Sequence, residues 1–225
     1  SDYGQFQESP YAELLQERVE EASDPFFFYF DDEPGLAAST KPTKPMYESK
    51  EGDGHGDADA ALLPITTNGG KVTGESFFVS WAPKADVKTP GQYTFRLTDD
   101  QGQVLLEKTT TEGNLTVNAT DAGLQSDEFY RWKTTVSNDA SVSTPLITFQ
   151  YVDKAELDSA LSDLRSTPAY STAEPAAKLL LEAVTMEDKG FQERAGLRFR
   201  KAMGQYPDHD LARALYKAFL WRQGL

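Results

Sequence analysis

The chain has 225 residues, 39% of them hydrophobic, with 36 acidic against 22 basic side chains, a formal net charge of -14 and no cysteine. That length holds one large core or two small ones, the charge opposes a phosphate backbone and argues against nucleic acid as a partner, and the missing cysteines exclude disulfides, thiolate metal sites and a cysteine nucleophile. No apolar stretch approaches the roughly 20 residues of a membrane-spanning helix, and a start at Ser1-Asp2 rather than Met predicts an upstream segment, whether signal peptide, membrane anchor or tag.

Ser9-Pro10 pairs an N-cap with proline at the first helical position, and Leu14, Leu15 and Val19 share one side of the segment Tyr11 to Ala22. A short amphipathic helix is expected there. After Asp24-Pro25 come five consecutive aromatics, Phe26, Phe27, Phe28, Tyr29 and Phe30, bounded by Asp31-Asp32-Glu33-Pro34. Such a run is poorly suited to water, and it is expected either to contact a partner or to cover this protein's own sandwich edge or helical tail; it is the first candidate partner contact. Gly35 to Ala61 then turns to Gly, Pro, Ser, Thr, Asp and Lys, a linker too polar to fold alone. Within it Asp53, Asp57 and Asp59 alternate as calcium-loop ligands do, but no bidentate Glu closes the set, so an acidic linker is the better reading.

From Leu62 to Tyr151 the apolar period becomes two. Phe77, Val79 and Trp81 fall on one face of a strand, Tyr93, Phe95 and Leu97 on one face of the next, and Ile147, Phe149 and Tyr151 on one face of the last. Turns are expected at Asp99-Asp100-Gln101-Gly102, at Gly113-Asn114 and at Asn138-Asp139 between the final two strands. This pattern predicts an antiparallel β-sandwich. Trp81 with its nearby Pro83, and Leu124 followed six residues later by Tyr130, resemble the fibronectin type III family. The resemblance implies a Greek-key sandwich with a tyrosine corner, whose hydroxyl bonds back to upstream backbone. Ser126 stands where the family usually has proline, which predicts a looser corner.

Downstream the period is helical, with segments expected at Ala155–Leu164, Ala173–Met186, Phe191–Tyr206 and Asp210–Gln223, joined by short connections that imply antiparallel neighbours. Ala183, Gly190, Ala195, Phe199, Ala202 and Pro207 resemble a tetratricopeptide repeat, in which small residues admit close helices, Phe fills the gap and Pro ends the second helix. One full repeat and a capping helix imply an appendage rather than a superhelix. The expected architecture is therefore α+β in two units: an extension over 1–61, the sandwich over 62–152 and a small antiparallel helical unit over 153–225.

Chemistry is sparse. Only His55 and His209 could serve as imidazole bases, and nothing in sequence gives either a nucleophile. Pro207-Asp208-His209-Asp210 sits at a helix junction, where aspartate is expected as a cap. No phosphate loop, nucleophile elbow or zinc motif occurs, and neither a cofactor nor a metal is expected. Trp81 and Trp132 alternate with apolar residues and belong to a core, while Trp221, late in the last helix, is the second expected partner contact. The arrangement resembles the extracytoplasmic ends of some bacterial envelope proteins, which implies export. The function expected is a non-enzymatic interaction or scaffold module of the cell envelope, docking one or more proteins, membrane-anchored or not, through its N-terminal segment and helical tail. A carbohydrate-binding module using exposed sandwich aromatics is the alternative, and a hydrolase using carboxylates alone ranks behind it.

Overall fold

The computed structural model describes residues 60–84 and 91–223. The expected N-terminal helix, the aromatic run Phe26 to Phe30 and the acidic stretch Asp53 to Asp59 lie outside them. The protein is α+β: among the described residues nine strands are followed by five helices.

Strands β1 (Leu62–Thr66), β3 (Ser76–Pro83) and β6 (Asn114–Asn118) form one sheet in the order β1-β3-β6. The larger sheet runs β2 (Lys71–Thr73), β9 (Ile147–Val152), β7 (Phe129–Val136), β4 (Tyr93–Asp99), β5 (Val104–Thr110), with β8 (Asp139–Ser143) hairpinned onto β7. Alternation delivers the core. Phe77, Val79 and Trp81, Tyr93, Phe95 and Leu97, Tyr130 and Trp132, and Ile147 and Phe149 are all buried, while Tyr151 is partly so. Their rings interlock, with Phe95 stacked on Trp81 at 6.3 Å and tilted against Trp132 at 6.0 Å, and Phe149 meeting both Phe77 and Tyr130. Offset and tilted pairs of this kind add about 1 kcal/mol each beyond the area they bury.

Two details depart from a purely antiparallel sandwich. The chain leaves β1 through positive-φ residues Thr67, Gly69 and Gly70, crosses to the other sheet and runs β2 parallel to β9. The crossing is pinned from the core, because the buried Trp132 indole N–H donates to the Thr67 carbonyl at 2.9 Å. The turn at Asn138-Asp139 does not join the last two strands. It closes the β7–β8 hairpin, and β8 escapes the alternation rule because it is short and mostly exposed. The turns at Asp99–Gly102 and Gly113-Asn114 fall between β4 and β5 and between β5 and β6. The Tyr130 hydroxyl accepts from the Gln125 backbone N–H at 2.7 Å, so the corner bond is made despite Ser126.

The helices are α1 (Lys154–Arg165), α2 (Pro168–Thr172), α3 (Pro175–Asp188), α4 (Gln192–Gln205) and α5 (Asp210–Arg222). The short α2 was not among the expected segments, although Thr167-Pro168 carries the same cap-plus-proline signal as Ser9-Pro10. The Thr167 hydroxyl accepts from the Tyr170 N–H at 3.2 Å. The described residues fall into two compact units, one of 60–161 with 185–195 and one of 162–184 with 196–223.

The α3–α4 turn therefore belongs to the sandwich unit. Gly190, at φ +85°, ends α3 with a pair of closing bonds, its N–H to Glu187 O and Phe191 N–H to Met186 O, the left-handed cap that glycine adopts without strain. Its carbonyl then accepts from Lys71 N–H at 2.7 Å. Phe191 is fully buried and Arg194 donates to Thr73 O at 2.8 Å. A Cβ on Gly70, itself at φ +75°, would lie 2.4 Å from the Gly190 carbonyl oxygen, so no side chain fits there.

The second unit is built on small residues. Ala176, Ala177, Ala183, Ala202, Ala212 and Ala218 are buried together with Leu180, Leu215, Phe199 and Phe219. Phe199 and Phe219 meet at 5.3 Å.

Candidate functional site

The pleat that sends Tyr93, Phe95, Tyr130 and Trp132 inward sends their neighbours outward. On the outer face of the larger sheet β4 presents Thr94, Arg96 and Thr98, β7 presents Phe129, Arg131, Lys133 and Thr135, and β9 presents Thr148 and Gln150. Register sets these in rows. Thr98 stands between Val104 and Arg131, Arg131 in turn faces Thr148, and Arg96 lies directly opposite both Glu107 and Lys133.

Three features set the face apart. Val104, Phe129 and Leu146 are 47%, 52% and 53% exposed, three of the five large exposed hydrophobics among the described residues. Val104 pairs with outward Thr98, and Leu146 precedes inward Ile147, so all three belong to this side. The face also carries Arg96, Arg131 and Lys133, of which Arg96 engages the carboxylate of Glu107 through Nε at 2.8 Å. No described carboxylate lies within ion-pair distance of Arg131 or Lys133. Finally, setting Lys133 opposite Arg96 places like charges across a strand pair, a mildly destabilising arrangement that sheet stability does not explain.

The helical unit holds a deeply buried charge. Glu182, 4% exposed, accepts through Oε1 from Arg165 Nη2 at 2.8 Å and the Tyr170 hydroxyl at 2.8 Å, and its Oε2 lies 3.1 Å from Arg198 Nη1. Burial pushes this carboxyl up, but the hydrogen bonds from Arg165 and Tyr170 and the charges of Arg198 and Arg165 together hold it below its ordinary value. Arg198 and Glu182 stand at equal distances from Gly190 along the chain, which makes α3 and α4 an antiparallel pair. Beside this node lies an open concavity of about 310 Å³, lined by Tyr170, Lys178, Leu179, Arg198, Gln205 and Tyr206. Its central carboxylate has both oxygens engaged, so it anchors helices and is not free to act as a base.

The residues singled out in sequence resolve separately. Trp81 and Trp132 are 3% and 0% exposed and offer no stacking platform. Trp221 is 51% exposed on α5. His209, not an aspartate, caps α5: its Nδ1 accepts from Ala212 N–H at 3.4 Å and its Nε2 faces Glu174 at 3.3 Å. An imidazole can take this place because the neutral ring offers one lone pair for the helix terminus while its other nitrogen donates. Among the described residues no three His, Asp or Glu side chains are grouped to hold a metal, and no helix is long and apolar enough to cross a membrane. The outer face of the sheet was not anticipated, yet its signal was present. The alternation that assigns Phe95 and Trp132 inward assigns Arg96, Arg131 and Lys133 outward.

No protein-family model and no curated protein matches the chain. Among solved structures, the adhesin domain of Epf from Streptococcus pyogenes is similar over 42% of this chain and 33% of that one, with a TM-score of 0.30 and 13% identity. The chain thus spans about a third of that protein's length, and nothing about function follows from a score of that size.

Proposed function

We propose that this chain is a non-enzymatic protein-interaction module that acts outside the cytoplasm in a bacterial envelope, with the outer face of its larger sheet as the contact surface. The observation that carries the reading is the clustering of Val104, Phe129 and Leu146 around Arg131 and Lys133 on one sheet face, since apolar side chains gathered on one surface with arginine among them are the makings of a protein contact. The strand order and the Tyr130 corner support the fibronectin type III resemblance. The burial of Ala183, Ala195, Phe199 and Ala202, and the left-handed Gly190 that ends α3, support the tetratricopeptide one. Placement in the envelope rests on the sequence resemblance.

The non-enzymatic reading is supported by how the conspicuous polar groups are used: Glu182 is saturated by arginine and tyrosine donors, and His209 caps a helix. A carbohydrate-binding role would need a row of exposed aromatic faces, and the sandwich tryptophans Trp81 and Trp132 are buried. Trp221 and the segment Phe26 to Phe30 remain proposed as further partner contacts.

The test is a photo-crosslinking amino acid placed at position 129, and separately at 221, with the whole chain exposed to native envelope extract. The expected result is a discrete adduct from position 129 that excess wild-type chain competes away and a chain carrying Leu146→Glu does not. Diffuse labelling, or equal competition by both chains, would remove this face from the proposal.

A further inference from the structure

We infer that the partner segment seated on this face is acidic and extended, with carboxylates at alternate positions and an apolar side chain beyond them; the inference rests on the face being a contact surface at all. The first argument is electrostatic. Arg131 and Lys133 stand side by side on one strand with no described carboxylate within ion-pair distance of either. Such a cationic pair steers an acidic partner to this face and to one orientation on it.

The second argument is spacing. Side chains two residues apart on a strand are roughly 7 Å apart on the same face, so Phe129, Arg131 and Lys133 form an evenly spaced line down β7. An extended segment has the same repeat, and carboxylates at its positions i and i+2 reach Arg131 and Lys133 together. An apolar residue at i+4, or at i-2 for the opposite direction, then meets Phe129. Thr148, directly opposite Arg131, supplies a hydroxyl donor to the same carboxylate.

The third argument selects protein over a polyanionic glycan or nucleic acid. A polyanion would neutralise the cations but gains nothing from Val104 and Leu146, and among these three exposed hydrophobics only Phe129 has a ring on which a sugar or base stacks.

The experiment uses the whole chain and three fluorescent probes of matched length: a peptide of about 12 residues with Glu at positions i and i+2, Leu or Phe at i-2 and i+4, and Ser or Thr between them, oligoglutamate, and a sulfated oligosaccharide. Anisotropy is expected to show the mixed peptide binding at least about tenfold more tightly than the other two. Replacing Arg131 and Lys133 together by Gln should weaken it about tenfold or more, as should Phe129→Ser, while Lys201→Gln on α4 should change it less than about twofold. Affinity should also fall several-fold between roughly 50 and 300 mM salt. Oligoglutamate binding as tightly as the mixed peptide would reduce the site to bare charge, and preference for the sulfated probe would make it a polyanion site. Either result overturns the inference, as does indifference to the Arg131 and Lys133 replacements. If the mixed peptide fails while the adduct from position 129 persists, only the partner chemistry assigned here is wrong. If both fail, the contact surface itself is abandoned.

Discussion

The sandwich unit and the helical unit bury similar kinds of apolar side chain but organise them differently. In the sandwich, large rings interlock and the buried Trp132 indole is tied to backbone by its bond to Thr67 O, whereas Trp81 Nε1 and Thr134 Oγ1 are buried without a described hydrogen-bond partner. In the helical unit, alanines let the helices close up, and a buried carboxylate joins α1, α2, α3 and α4 through Arg165, Tyr170 and Arg198. Ring packing is indifferent to proton concentration, whereas a buried ion cluster is not. The two units should therefore fail under different stresses.

The strongest way to sharpen the contrast is Phe95→Ala, which empties a fully buried site between Trp81 and Trp132. It should cost about 4 kcal/mol, with the same loss at every pH between neutrality and mild acid, measured by denaturant titration. Gly70→Ala comes next. The added methyl meets a backbone oxygen that cannot move aside cheaply, in a left-handed conformation, and the loss should be about 3 kcal/mol. Hydrogen exchange should locate that loss at β2 and the α3–α4 turn, and protection unchanged there would break the account of the clasp.

Glu182→Gln should cost about 2 kcal/mol. Stripping a buried ion pair of one partner costs more than this in full burial, but the Arg165 side chain is half exposed and water screens part of the loss. The pH dependence has a definite sign. Glu182 ionises more readily in the folded chain than an ordinary glutamate, so its contribution is complete above the unfolded value of about 4.3. It is lost as pH falls through the lower native value. Acid titration followed by exchange in α3 and α4 should show this loss in the wild type and lack it in the Gln variant. A smaller effect is expected at the α5 cap: His209→Ala should cost about 1 kcal/mol and His209→Asn only a few tenths, because asparagine also accepts at an N-cap.

Much of this architecture was legible because strand and helix periods differ. Phe77, Val79 and Trp81 announce a half-buried strand, and Ala195, Phe199 and Ala202 a helix face, whatever else surrounds them. Short elements were not legible in the same way. β8 and α2 have too few residues for either period to register, and the cap signal at Thr167-Pro168 was the sole local mark of α2. The candidate site was half legible: Arg96, Arg131 and Lys133 are outward by alternation, but register between strands decides that they are neighbours.

What the sequence determined by itself is which residues are inside, since burial follows from local period and side-chain chemistry. Tertiary structure alone decided which of them meet. Gly70 and Gly190 lie far apart in the chain and are joined by one carbonyl. Glu182 reads as an ordinary helix-face glutamate until Arg165, Tyr170 and Arg198 converge on it. The cationic face exists because β4 pairs with β7 in one register and no other. A one-residue slip would send Arg131 and Lys133 to the core side, and the cost of burying those charges is what excludes it.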